Sequence, residues 1–195
     1  MEKKRSAEIR NAALPFAVAA TAAALMAIVL HLQGRFWWCK YGDAAIYVPE
    51  AWNSPHTSQH LFDPYTFTHI LHGVLFFWIL RAALPNLSWA WQLLIATVVE
   101  CSWEILENST WVIEKYRENT ASLDYFGDSI ANSLGDVAAC AVGFLIAFKL
   151  GRWWSLAFFL AVEIFLLWWI RDGLLLNIIM LIWPMDGVKH WQMGV

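Results

Sequence analysis

The chain has 195 residues, of which 59% are hydrophobic and only 15% charged. A mean hydropathy of +0.48 is too apolar for an ordinary soluble domain and suits a small multi-pass helical membrane protein. The formal net charge of −3 gives no basic footprint for nucleic acid, which leaves the lipid bilayer as the partner that composition points to.

Met1 to Asn11 is a polar tail carrying Lys3, Lys4, Arg5 and Arg10, followed by a first apolar run over about 12–32. Ala-x-Ala triplets occur in it, but the run is too long for the apolar region of a cleaved signal peptide, so a span is expected. Residues 33–63 form the longest polar stretch, with Arg35, Lys40, Asp43, His56 and His60. Asp63-Pro64 reads as a helix start, Asp as N-cap and Pro at the first helical position. A second span over 64–83 follows, with Arg81 able to snorkel at its far end and Pro85-Asn86 making the turn. The third span covers 88–107, and a charged loop is expected over 108–127.

Asp128 is the expected N-cap of a fourth span over 129–150, stopped by Gly151, and a fifth covers 153–170. Arg171-Asp172-Gly173 breaks the pattern, and residues 174–183 are too short to cross as a helix. They are expected to be interfacial, re-entrant or a kinked continuation. The fold class is therefore all-α, a polytopic transmembrane bundle forming a single membrane domain of five spans, with six as the alternative. Fourteen Trp fit that class. Trp37, Trp38, Trp153, Trp154, Trp168, Trp169 and Trp183 stand near the ends of apolar runs, where Trp meets headgroups. Lys and Arg divide seven to six between the two sides, and the compact N-terminal cluster points to a cytoplasmic N-terminus.

Alternation of the spans brings four termini to one membrane side, and the unusual residues concentrate there. Span two carries His69 and His72 at i, i+3. Span three carries Glu100, Glu104 and Glu107 at i, i+4, i+7, then Asn108. Span four carries Asp128, Asn132 and Asp136 at i, i+4, i+8, and Arg171, Asp172 and Asn177 follow span five. Each set falls on one helix face. At 1.5 Å per residue the innermost lie roughly 8–12 Å below the interface, and an uncompensated charge costs up to about 2.5–3.5 kcal/mol on insertion scales when fully central. Gly73, Gly135 and Gly143, with Ala131, Ala138 and Ala139, offer small surfaces for close helix approach.

Three readings of the cluster stay open. In the first it is a metal centre for Zn, Fe or Mn, with His69, His72, Glu104 and Asp136 as ligands, Glu107 as base and Asn132 orienting them. An ion held there with an open position activates water for hydrolysis. No His-Glu-x-x-His motif is present. The second reading is an ion or small-solute pathway with Glu100, Glu104 and His69 as a proton relay, against which stands the nearly polar-free opposite half, Glu163 apart. The third is a self-satisfied network with Arg171 paired to Glu104 or Asp136, fixing helix packing in a structural or partner-binding protein. Whether the chain is an enzyme stays open with them. His31, His56 and His60 read as loop or interfacial histidines. Asn108-Ser109-Thr110 matches a glycosylation acceptor but sits at the membrane edge. Cys39, Cys101 and Cys140 are scattered and form no disulfide framework or Cys-metal spacing.

Several segments together resemble a known family. They are residues 62–73 around His69-Ile-Leu-His72, Trp103 to Ser109, Gly127 to Ser133, Ile170-Arg171-Asp172, Asn177 to Leu181 and Trp191-Gln192. The family comprises small bacterial inner-membrane proteins, mainly alphaproteobacterial, known only as a conserved domain of unknown function. The resemblance covers most of residues 50–192, and Gly173 stands where the family more usually has Asn. It implies a multi-pass inner-membrane protein and brings no activity, substrate or cofactor.

Overall fold

The computed structural model describes residues 2–51 and 54–194, with side chains from residue 13 onward. Trp52 and Asn53 of the polar stretch, and the side chains of Lys3, Lys4, Arg5 and Arg10, lie outside the described residues. Among the described residues, seven helices occur: α1 (Glu2–Leu32), α2 (Thr66–Ala83), α3 (Trp89–Glu107), α4 (Thr110–Asn119), α5 (Ile130–Ile170), α6 (Leu174–Ile182) and α7 (Asp186–Met193). There is no strand among them, only an isolated bridge between Tyr47 and Phe62 in the loop. Three stretches are long and apolar enough to cross a membrane: Ala13–Leu32, Thr66–Ala83 and Ile130–Ile170.

Helix starts are set by local hydrogen bonding. Asp63 Oδ1 accepts the backbone N–H groups of Tyr65 and Thr66 at 2.8 and 3.3 Å, so it braces the turn ahead of α2, but the helix begins at Thr66 rather than Pro64 and its N-cap position is Tyr65, not Asp63. Asp128 does not cap α5. Ser129 does, its Oγ accepting Asn132 N–H at 3.1 Å, because the Asp128 carboxylate is turned toward Asn108 and Tyr125. Gln92 Nε2 donates to the carbonyls of Leu84 and Leu87 and ties off the α2–α3 turn. Gly151 breaks α5 with φ 71°, ψ −179°, a conformation essentially reserved for Gly.

That break folds α5 into a hairpin around α2. In its first half, Gly135 lies against Leu61, Asp136 faces His69, Cys140 lies against Gly73 and Phe144 against Phe77, so the two run parallel. In the second half, Trp78 meets Ser155 and Phe159, Phe67 meets Phe165 and Trp169, and Tyr65 reaches Asp172, an antiparallel course. The glycines permit this closeness. A Cβ on Gly73 would lie 1.9 Å from the Cys140 carbonyl oxygen, and one on Gly143 would lie 1.9 Å from that of Ile70. Leu71, Val74, Phe77, Leu93, Ala96, Phe144, Ala147 and Phe159 fill the adjoining core.

α1 lies on α3 in parallel, Phe16 against Trp89 at one end and Gln33 against Ile105 at the other. Met26, Ala27 and Leu30 pack there with Cys101, Ile130 and Val137. One end of the bundle thus gathers the C-termini of α1, α3 and α5 and the N-termini of α2 and α5. Trp153, Trp154, Trp168 and Trp183 stand 71–79% exposed, fitting interfacial anchors.

The expected charged loop at 108–127 contains α4, whose Val112, Ile113 and Tyr116 are buried, and the C-terminal segment adds α7. After Ile170 the chain turns back on itself. Glu163 Oε1 accepts the N–H groups of Leu174 and Leu175 at 2.9 and 3.4 Å, so a carboxylate two turns inside α5 caps the N-terminus of α6.

Candidate functional site

At the gathered end, the carboxylates of α3 fan over the first turns of α2 and α5. His69 is buried, its Nδ1 lying 2.6 Å from Glu100 Oε1 and 3.4 Å from Glu104 Oε1, while Nε2 faces Asp136 Oδ2 at 3.8 Å. The short contact assigns the Nδ1 proton to Glu100 and leaves Nε2 with its lone pair toward Asp136. One donor atom from each of His69, Glu104 and Asp136 lies within 4.8 Å of the other two, and the same holds for Glu104, Glu107 and Asp128. Glu104 belongs to both groups.

Glu104 is fully buried, and neither of its carboxylate oxygens has a hydrogen-bond partner; Asp136 Oδ1 has none either. Among the described residues no Lys or Arg ion pair reaches these carboxylates. The histidine that faces both of them is His69. Buried carboxylates without donors are rare because desolvation costs several kcal/mol per ion, of order.

The expected ligand set is split. His72 Nδ1 meets both oxygens of Glu100 at 3.0 and 3.1 Å and does not join Glu104 and Asp136. Three residues along a helix turn the side chain by about 60° net, enough to aim His72 one turn earlier on α3. Asn132 Nδ2 donates to the His60 carbonyl at 2.8 Å, which ties its amide to the loop before α2. Arg171 is corrected outright. It closes α5 in the left-handed region with φ 54°, its guanidinium donating to the Trp191 carbonyl at 3.2 Å, because the chain reverses there and carries the side chain outward.

The remaining residues of the expected network hold the walls. Asn108 is buried and donates to Asp128 Oδ2 at 2.7 Å and to the Glu104 carbonyl at 3.0 Å, so its amide is engaged inside the fold and the glycosylation motif is accidental. Asp172 accepts from Tyr65 Oη and from Gly173 N–H. Burial pushes Asp172 up to about 6, the hydrogen bonds opposing and the Glu163 charge adding. Burial likewise raises Asp128 above the usual carboxylate range.

A cavity of about 70 Å³ opens on this cluster. His69, His72, Glu107, Asp128 and Asp136 line its polar side, and Leu174, Ile178 and Leu181 of α6 its apolar side. Tyr65, Tyr116 and Tyr125 add hydroxyls that sequence reading missed. Tyr65 carries a signal, one turn ahead of His69 on the same face. Tyr116 is legible only once α4 is known to be a helix, and Tyr125 has no local signal. Tyr116 Oη donates to Asn177 Oδ1 at 3.1 Å, tying α4 to α6 across the mouth.

Relatives are numerous and their activity is unknown. The family described as "Protein of unknown function (DUF2585)" matches residues 30–194. A UPF0314 protein of Rhizobium meliloti is 45% identical over 186 residues, 95% of this chain and 94% of that protein. UPF0314 proteins of Brucella anthropi and Paracoccus denitrificans are 42% and 43% identical over 88% and 86% of this chain and 87% and 86% of their own lengths. No solved structure matches the chain. The chain therefore belongs to this family of bacterial proteins of unknown function.

Proposed function

We propose that the protein is a metal-dependent hydrolase of the bacterial inner membrane, acting at the outer leaflet. The reading takes a single membrane domain of five spans, α1, α2, α3 and the two halves of α5, with the N-terminus in the cytoplasm and the gathered end at the periplasmic face. Among these, α3 is a span by its length and its place between α2 and α5, despite its carboxylates.

One observation carries the proposal. Glu104 and Asp136 are buried beside the His69 ring, both oxygens of Glu104 and Oδ1 of Asp136 lack a hydrogen-bond partner, and among the described residues no Lys or Arg ion pair compensates them. A divalent first-row cation is the natural counter-charge for such N/O donors. His69 Nε2, Glu104 and Asp136 would hold it, with Glu100 fixing the His69 tautomer from behind. Bound there, it would act as a Lewis acid and lower the pKa of water. Glu107 lines the cavity one turn beyond Glu104 and serves as the acceptor for the proton of the attacking water. The apolar wall of α6 suits the acyl part of an amphipathic substrate and Tyr65, Tyr116 and Tyr125 its polar part.

The test is elemental analysis of detergent-purified protein, with wild type beside Glu104→Gln and His69→Ala. One equivalent of Zn, Fe or Mn that both substitutions remove is expected, and lipid ester or phosphodiester hydrolysis that tracks this equivalent completes the case. A wild type that takes up no metal on reconstitution overturns it.

A further inference from the structure

A second constellation lies in the loop between α1 and α2, away from the carboxylates just described. Cys39, Asp43, His56 and His60 converge there from two ends of the loop. Cys39 Sγ lies 3.5 Å from His56 Nδ1, and His60 Nε2 lies 3.4 Å from the same nitrogen. Asp43 Oδ2 stands 3.9 and 4.0 Å from the two histidines. Bond lengths of about 2.3 Å to sulfur and about 2.0–2.1 Å to nitrogen, at tetrahedral angles, put such donor atoms roughly 3.3–3.6 Å apart. The Cys39–His56 and His56–His60 separations match that spacing. Asp43 is half exposed and closes the rest by a small side-chain rotation.

The tautomer is prepared as well. His60 is fully buried, and its Nδ1 lies 2.6 Å from the Ala45 carbonyl oxygen. A carbonyl only accepts, so the proton is on Nδ1 and the Nε2 lone pair points at the cluster, the usual arrangement behind a metal-bound imidazole.

We propose that Cys39, Asp43, His56 and His60 form a tetrahedral zinc site, independent of the carboxylate centre. The donor set of one thiolate, two imidazoles and one carboxylate is closed, which is the pattern of a structural ion rather than a catalytic one. Binding converts the Cys39 thiol to thiolate and releases its proton to solvent.

The ion fastens the loop to the roof of the cavity. The His60 carbonyl accepts from Asn132, Gln59 donates to the Gly127 carbonyl and the Ser58 carbonyl accepts Ser129 N–H. Residues 58–60 are thus bound to the start of α5, and the metal joins residues 39–43 to them. No strand or disulfide among the described residues does this work for the loop.

The experiment uses full-length protein in detergent, loaded with Co(II). A thiolate-to-cobalt charge-transfer band is expected in the wild type, in Glu104→Gln and in a Cys101→Ser, Cys140→Ser double variant. It is expected to vanish in Cys39→Ser and to be displaced by one equivalent of Zn(II). Should Cys39→Ser fail to fold, His56→Ala serves, since that partly exposed ring is replaceable in packing terms, and at least a tenfold loss of Zn(II) affinity is expected. A wild type without the band, a band that survives Cys39→Ser, or unchanged affinity in His56→Ala overturns the proposal. Because Glu104→Gln keeps the band, failure of this site and failure of the hydrolase reading are separate results.

Discussion

Gly143→Ala tests the link between helix packing and the candidate centre without touching any ligand. The new Cβ would sit 1.9 Å from the Ile70 carbonyl oxygen, against an ordinary contact of at least 3.4 Å. Backbone faces it from both sides, so the relief is separation of α2 from the first half of α5 by about 1.5 Å. Overpacking of this kind costs typically about 1–3 kcal/mol, and the upper end applies because no side chain can move aside. The site feels the same displacement. Ile70 follows His69 directly, and Asp136 lies two turns before Gly143. His69 Nε2 and Asp136 Oδ2, now 3.8 Å apart, would open to about 5.3 Å, whereas two donors on one first-row ion span at most about 4.2 Å, given bonds of 2.0–2.2 Å. Thermal unfolding in detergent and metal content are the assays, with Gly187→Ala as control because nothing lies within 4 Å of its added Cβ. Gly143→Ala with wild-type melting and wild-type metal uptake would refute the reasoning.

Gly151→Ala meets no neighbour but forces a side chain into φ 71°, ψ −179°, so a loss of about 1–3 kcal/mol from backbone strain alone is expected by chemical denaturation. Ser129→Ala removes the N-cap of α5 and should cost about 1 kcal/mol, read as a lower melting temperature. For Asp172, raised to about 6 in the fold from an ordinary 3.8, the folded state holds the proton more tightly than the unfolded chain. Stability should then fall as pH rises through that window and level off above about pH 6, by about 3 kcal/mol in total. Asp172→Asn should flatten this slope, and melting curves that keep the same pH dependence in the variant would contradict the assignment.

The helices were legible where periodicity and punctuation agree. Gly151 announced the break in α5, and Gly73 and Gly143 announced the close approach. Counting residues from the helix ends placed His69, His72, Glu100 and Asp136 at one depth. What the spacing could not supply was azimuth. Sixty degrees of rotation decides that His72 serves Glu100 and not Glu104, and no pattern along one helix fixes that angle relative to another. Arg171 misled because charge complementarity argued for pairing, whereas the left-handed cap at φ 54° sends the side chain outward. The Cys39–His60 grouping was illegible for a different reason: irregular loop backbone brings its donors together, at spacings of 4, 13 and 4 residues along the chain that no periodic element produces. Helix α4 was hidden by its charges, although Ser109 capping Val112 is visible in retrospect.

The one-residue turn at Gly151 leaves no slack between the halves of α5. Register on one arm is therefore transmitted to the other undamped, and the whole second arm behaves as a rigid lever fixed at its hinge. Adding a single residue between 152 and 162 would rotate everything beyond it by about 100° and advance it by about 1.5 Å. Glu163 would swing off the N–H groups of Leu174 and Leu175, and Phe165 and Trp169 would leave Phe67. The length of this arm is thus as strongly constrained as any side chain in the cluster.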